Sequence, residues 1–476
     1  MTIDNRISRR RLLKNGSAAA AAAAALGPRN VAAQGQAPVS PERQREGGPA
    51  VVTNRTFRAW ISRGTGRGRT TLQDVRLRPI SGRQVVVRTE ACNLCYSNVG
   101  AVLGIQATPA AATTTANQAA VGLAGVNANS MALIQGHGGV GVVEAVGTEV
   151  RRVQVGDRVC VSGTPQCGSC YHCLRGRADV CQLLGRNLPA DLVPVGDLRD
   201  GTPVYSNSHI GGLADLMITF EEWVVPVVTK ASAVDLGMVL SCVSVAGLGA
   251  TTTGTLATVA PGSVVAVVGC GPLGLSAVQG ARIAGASTIV AIDPIKMRRD
   301  LAMKVGATHV LDPNVEGNGI VERVRSLSNG PTSRAWSGGR DSGGRRSGAG
   351  ADFVVEACGA EFVRPKLEQG PDPTGILPMQ QAYEMCNAGG HLVTTGLVRG
   401  TIALPAFLFA IGGISHSGGQ AGGANPMRDI PRFVSLLDSG QYNAKALVTR
   451  VVPLADMLGA YEEVAYRTTV TAIMTA

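Results

Sequence analysis

Aromatic side chains are scarce in this chain of 476 residues: 7 Phe, 7 Tyr and 3 Trp amount to 4%, and charged residues to only 16%. That scarcity excludes one class of partner. Nucleic-acid surfaces interleave basic residues with aromatics that stack on bases. No such stripe exists here, although the net charge is +11. The first 33 residues carry +5 of that charge and residues 331–350 another +3, so the remainder is only mildly basic. Nucleic acid is not an expected partner. The alanine run Ala18 to Ala25, ending at Leu26, is weakly apolar and too short to span a bilayer. Aliphatic residues are plentiful instead. With 45% hydrophobic residues and this length, the chain can build two domains, each around its own core.

Ser8-Arg9-Arg10-Arg11-Leu12-Leu13-Lys14 has the form of a twin-arginine export signal, and Val31-Ala32-Ala33 supplies small residues for cleavage before Gln34. Residues 1–33 are therefore expected to be an address and residues 34–50 a tether. The alternative is an ordinary basic, alanine-rich N-terminus. The address predicts export to the periplasm or beyond, with the twin-arginine machinery as a transient partner. An unused signal would leave the protein in the cytoplasm.

Val264-Val265-Ala266-Val267-Val268 is a charge-free, β-branched run, as expected of a parallel strand buried on both faces. It breaks into Gly269-Cys270-Gly271-Pro272-Leu273-Gly274, a helix-compatible segment follows, and a second apolar run, Thr288 to Ile292, ends in Asp293. Each glycine has its own task in such a unit: a tight turn, close approach to a pyrophosphate, and close packing of helix on strand. The helix N-terminus presents free N–H groups to the phosphates. Asp293 would accept from the adenine ribose diol and repel the extra phosphate of NADP, so the cofactor predicted is NAD. Alternating strands and helices continue through Lys296 to Val305, Ala307 to Leu311, Ile320 to Leu327, Asp352 to Gly359, Met379 to Cys386 and Gly390 to Gly396. The pattern predicts an α/β fold with a doubly wound parallel sheet. Residues 329–350, rich in Gly, Ser and Arg, read as a disordered insertion.

The segment from Thr56 reads as short strands, at Phe57 to Ile61, Val75 to Leu77, Arg83 to Thr89, Val140 to Val146 and Val159 to Ser162. Within this β-rich part lie Cys167, Cys170, Cys173 and Cys181. Four thiolates so close can enclose a tetrahedral structural zinc. Two disulfides are the alternative in an exported protein, though pairs three residues apart suit them poorly. A second set is scattered: Cys95, His137 and Cys242. A Cys/His/Cys set with an open fourth position is the form of a catalytic zinc. Spacing alone does not show that the three meet, and Cys92 or Cys242 taken singly is as readily a small buried hydrophobe.

The chain from about Thr56 onward resembles the zinc-dependent medium-chain alcohol dehydrogenase family. The resemblance rests on Cys95-Tyr96-Ser97, on Gly136-His137-Gly138-Gly139 with its continuation to Gly147, on the four-cysteine loop, on Cys242 and on the dinucleotide unit. Asn425-Pro426, Arg428-Asp429-Ile430-Pro431 and Ala446-Leu447-Val448-Thr449 are similar to the longer members, which include glutathione-dependent formaldehyde dehydrogenases. The resemblance implies a GroES-like catalytic domain over 51–242, a Rossmann domain over 243–415, and a return to the catalytic domain over 416–476. It implies two zinc ions per chain, one catalytic at Cys95, His137 and Cys242 and one structural, with Ser97 passing the alcohol proton toward solvent. It implies hydride transfer between an alcohol or aldehyde and NAD, in a homodimer or homotetramer, with Cys358 and Thr395 bordering the cofactor.

Three positions depart from the family pattern. Asn98 stands for an acid that supports the ligating histidine, Gly138 for a glutamate near the metal, and Gly100 for a relay histidine. These thin the electrostatic support of the metal and leave two other readings: a non-catalytic binder of NAD and zinc, or a reductase of the same fold without catalytic zinc. Gln106 to Met131, Ala/Thr/Asn-rich and uncharged, is either a floppy insertion or an altered substrate mouth. His172, inside the four-cysteine loop, is expected to face solvent. His309, His391 and His416 are expected to be structural, and Cys270, Cys358 and Cys386 to be packing residues.

Overall fold

The computed structural model describes residues 55–105, 131–185, 193–240, 242–328, 349–398, 400–404, 410 and 412–476. The export signal, the tether and almost all of the two insertions lie outside them.

The N-terminal half is built from β-structure. Strands β1 (Thr56–Ser62), β2 (Thr70–Leu77), β4 (Ala132–Ile134), β7 (Gly196–Asp197) and β8 (Pro203–Ser206) close into a barrel in the order β1-β2-β7-β8-β4. Against it lies a second sheet, ordered β10 (Val224–Pro226), β6 (Arg158–Val161), β5 (Gly139–Val146), β3 (Gln84–Asn93), β18 (Ala472–Thr475) and β17 (Arg450–Pro453), with β9 (Leu216–Phe220) also on β3. The alternation in β1 and β5 buries every second residue or better, which places Ala59, Ile61, Val140 and Val143 in the core. Strands β7 to β10 carry weak sequence signals, two to five residues each, and were not foreseen.

The other half is a six-stranded parallel sheet, ordered β13 (His309–Leu311), β12 (Thr288–Ile292), β11 (Val264–Val268), β14 (Ala351–Glu356), β15 (Cys386–Thr394) and β16 (Ser415–Gly418). Counted from β11, this is the doubly wound order 3-2-1-4-5-6, with its switch point between β11 and β14. All five residues of β11 are buried, which its unbroken Val-Val-Ala-Val-Val requires. The helix Lys296–Val305 matches its sequence expectation end to end. Beyond β16 the chain passes through the helix Pro426–Asp438 and joins the seven-stranded sheet, where β17 pairs with β18 in parallel and β18 with β3 antiparallel. Ile473 opposite Asn93 and Met474 opposite Cys92 bring the last strand against the residues just before Cys95.

Candidate active site

The glycine loop performs the three tasks its spacing demands. Gly269 has φ +94°, and a Cβ there would lie 3.0 Å from the Ala357 carbonyl carbon, so β11 and β14 meet across a bare backbone at the switch point. A Cβ on Gly274 would fall 1.7 Å from the Gly269 carbonyl oxygen, which fixes the turn against the helix Pro272–Ile283. Gly271 faces open space, with only an Arg298 Nη1 atom 3.8 Å from a would-be Cβ. Asp293, 3% exposed, accepts from Cys270 N and from Ile295 N, each at 2.8 Å. Its carboxylate thus braces the glycine loop as well as facing the cavity.

One cavity of about 1020 Å³ joins this loop to the scattered set. Gly269, Gly271, Pro272, Leu273 and Asp293 line it on one side, and Cys95, Ser97, Asn98 and His137 on the other. Cys358 and Thr395, the expected border residues, line it too. β3 delivers Cys95 through Leu94, and the turn entering β5 delivers His137. The exposed Ser97 hydroxyl lies 2.8 Å from His137 Nε2 and 3.2 Å from both Cys95 Sγ and Asn98 Oδ1. Burial acts to lower the His137 pKa, but the Cys95 thiolate beside it reverses the sign and holds it raised. Cys95 Sγ and His137 Nε2 thus flank one hydroxyl, two donors of the kind taken by a divalent cation that prefers sulfur and nitrogen. Cys242, the third expected ligand, opens the helix Cys242–Thr252, and its side chain lies outside the described residues.

The four-cysteine loop passes a separate test. Cys167 and Cys173 Sγ atoms are 3.9 Å apart, Cys170 and Cys181 4.0 Å, and all four ligand atoms lie within 4.8 Å of one another. Four sulfurs about 2.3 Å from one zinc must be nearly 4 Å apart, roughly twice a disulfide bond. The loop is shaped for a metal. The backbone favours ionisation in part of the loop: burial opposes ionisation of Cys170, yet N–H groups of Gln182 and Cys173 draw its pKa down to about 6, whereas burial holds the thiols of Cys173 and Cys181 raised. His172 is half-buried and meets the Tyr171 ring edge-on at 5.3 Å. Among the described residues no other group of three or more His, Cys, Asp and Glu has this geometry.

The departures acquire physical content. Asn98 is buried at 4% exposure; its Oδ1 faces Ser97 while its Nδ2 has no partner. A Cβ on Gly100 would lie 2.9 Å from Phe362 Cε1, so a phenyl ring fills the space a side chain would need. Phe362, Glu361, Arg298 and Arg467 all line the cavity, and sequence reasoning singled out none of them. Arg298, with a buried Nε lacking a partner, holds Nη1 3.8 Å from the Asp293 carboxylate. Its position five residues past Asp293 on an amphipathic helix was the available signal. Cys270 and Cys386 are packing residues, both fully buried, whereas Cys358, expected to pack as they do, is exposed at the turn after β14 where the cavity opens. His391 and His416 bond neighbouring strand hydroxyls, Ser417 and Thr394, at 3.0 Å, and His309 bonds Thr308.

Known proteins match this arrangement. Residues 81–229 fit the family described as alcohol dehydrogenase GroES-like domain, and residues 272–369 the one described as zinc-binding dehydrogenase, together just over half the chain. Alcohol dehydrogenase B of Mycobacterium tuberculosis is 29% identical over 337 residues, 70% of this chain and 80% of that protein. Alcohol dehydrogenase 6 of Peromyscus maniculatus is 25% identical over 390 residues, 81% of this chain and 88% of that protein. An alcohol dehydrogenase zinc-binding domain protein from Burkholderia ambifaria shares the fold, with a TM-score of 0.71 at 24% identity, covering 89% of this chain and 99% of that one.

Barrel, parallel sheet and the cavity joining them define a two-part oxidoreductase with a four-cysteine loop shaped for a metal. The chain belongs to the zinc-dependent medium-chain alcohol dehydrogenase family.

Proposed function

We propose that the protein oxidises a small alcohol to an aldehyde, or the reverse, with NAD as hydride partner and with Cys95, His137 and Cys242 as ligands of a catalytic zinc. The observation that carries this reading is the single cavity lined both by the glycine loop with Asp293 and by Cys95, Ser97 and His137. When bound, zinc supplies Lewis-acid polarisation of an alcohol oxygen and a nicotinamide supplies the hydride acceptor. The protein's own part is placement and proton handling. The glycine loop and the helix N-terminus at Pro272 receive the pyrophosphate, and Asp293 receives the ribose diol. Ser97, exposed and within 3.2 Å of Cys95 Sγ, takes the alcohol proton and passes it to water. Cys167, Cys170, Cys173 and Cys181 hold a second zinc that fixes their loop.

Metal analysis and NADH absorbance with a panel of alcohols test this reading. Two zinc ions per chain and alcohol-dependent NADH formation are expected; one zinc and carbonyl reduction alone would favour the reductase without catalytic zinc. The unpaired Asn98 amide and the filled space at Gly100 favour a second reading, a protein that keeps NAD and zinc without turnover. Retention of both groups with no turnover on any alcohol supports it. We also read residues 1–33 as a twin-arginine address, so that metal and dinucleotide are loaded before export. Replacing Arg9, Arg10 and Arg11 by Lys should then trap the protein in the cytoplasm.

A further inference from the structure

The segment between β14 and the helix Ile376–Met385 leaves the parallel sheet and crosses to the catalytic half. Ala360 N bonds Leu397 O at 2.9 Å, still on the sheet side. One residue on, Glu361 Oε1 accepts from Arg467 Nη1 at 2.6 Å and Oε2 from Arg364 Nη1 at 2.9 Å. Phe362 N donates to the Tyr96 hydroxyl at 2.9 Å, the two rings stand 5.6 Å apart, and Arg467 lies 4.9 Å over the Tyr96 ring. Tyr96 separates Cys95 from Ser97. Whatever holds Tyr96 therefore holds both of its neighbours.

We propose that Glu361, Phe362 and Arg467 clasp the two walls of the cofactor cavity, positioning Tyr96 and slowing release of the dinucleotide. The inference rests on the dinucleotide reading of the cavity and says how that cavity opens. A cofactor lying along both walls leaves when they part. Parting breaks a buried ion pair, with side chains 11% and 9% exposed, and separates the Arg467 guanidinium from its carboxylate while Glu361 keeps Arg364. Arg467 also sits at φ +57°, a backbone conformation that a non-glycine residue keeps only when its surroundings impose it. Burial acts to lower the Arg467 pKa, but Tyr96 and Glu361 hold it raised, so the cation persists in the closed state.

The test uses the full chain, with NADH as probe, and follows NADH release by fluorescence alongside Tm. Glu361→Ala and Phe362→Leu should each speed release, Glu361→Ala by roughly tenfold. Glu361→Gln, which keeps an acceptor for one arginine, should recover part of the slow rate. A merely structural role would lower Tm without changing release from the folded fraction. Should Glu361→Ala fail to fold, Phe362→Leu, which removes no charge, decides. Wild-type release rates in the folded variants overturn the clasp and leave the dinucleotide reading standing. A wild-type protein that does not bind NADH overturns both.

Discussion

The four-cysteine loop and the cavity-side set of Cys95, Ser97 and His137 use the same donor chemistry but are built in opposite ways. Cys167 to Cys181 is one stretch of chain whose own N–H groups point at its thiolates, as in Cys170 N to Cys167 Sγ at 3.3 Å and Cys173 N to Cys170 Sγ at 3.5 Å. The cavity-side set is assembled from β3, the turn before β5 and the chain around them, so it exists only once the sheet that pairs β3 with β5 has formed. A local site is stabilised by its metal and stabilises its loop in return. An assembled site draws its geometry from the whole fold, and losing a donor there changes chemistry more than structure.

The largest effect should separate the two most sharply. His137→Ala is expected to cut turnover at least about a thousandfold with Tm near wild type. Cys170→Ser should instead lower Tm and zinc content, with activity lost only as the fold is lost. Equal Tm losses in the two variants, followed by thermal unfolding, would erase the distinction. Next in size is Gly274→Ala, whose Cβ meets a carbonyl oxygen; at least about 3 kcal/mol of destabilisation is expected by denaturant unfolding.

A third prediction concerns Glu356, which lies beneath the assembled cavity and plays no part in the cysteine loop. Burial pushes its pKa from 4.5 up to about 7, against N–H groups of Cys358, Gly359 and Gly396 that favour the charged form. The folded state thus holds this proton after the unfolded state has released it. Its contribution is present below pH 4.5 and lost as pH rises through about 7, on the order of 3 kcal/mol in all. Glu356→Gln should flatten that part of the stability–pH profile, and an unchanged slope would refute the assignment.

Smaller still, Asp293→Ala should weaken NADH binding by roughly tenfold or more, read by fluorescence titration, because it removes a ribose acceptor and the brace on Cys270 N. The smallest change is Asn98→Asp. A carboxylate beside Ser97 should raise zinc retention at the cavity-side site about tenfold in a chelator competition, leaving the cysteine loop unaffected.

Much of this was legible in one dimension. The uncharged strand β11, the glycine spacing, the helix Lys296–Val305 and the four cysteines all express contacts within a few residues of one another. The short strands β7 to β10 and the segment 359–375 were not legible, because nothing local marks them. Glu361 and Arg467 are 106 positions apart and Tyr96 is 371 from Arg467. Phe362 filling the space at Gly100 is likewise a meeting of distant segments, so the glycine in place of a relay histidine is legible in the sequence but the ring that occupies its space is not.

By itself the amino-acid order determined which groups could bind a dinucleotide or a metal, because spacing along a strand, turn or loop already limits where nearby atoms can go. Only the closed fold decided that Cys95, Ser97 and His137 face the same cavity as Asp293, and that a buried ion pair ties its walls together. Those pairings link positions between which the chain is long enough to go almost anywhere, and packing of the sheets selects the one arrangement that brings them together.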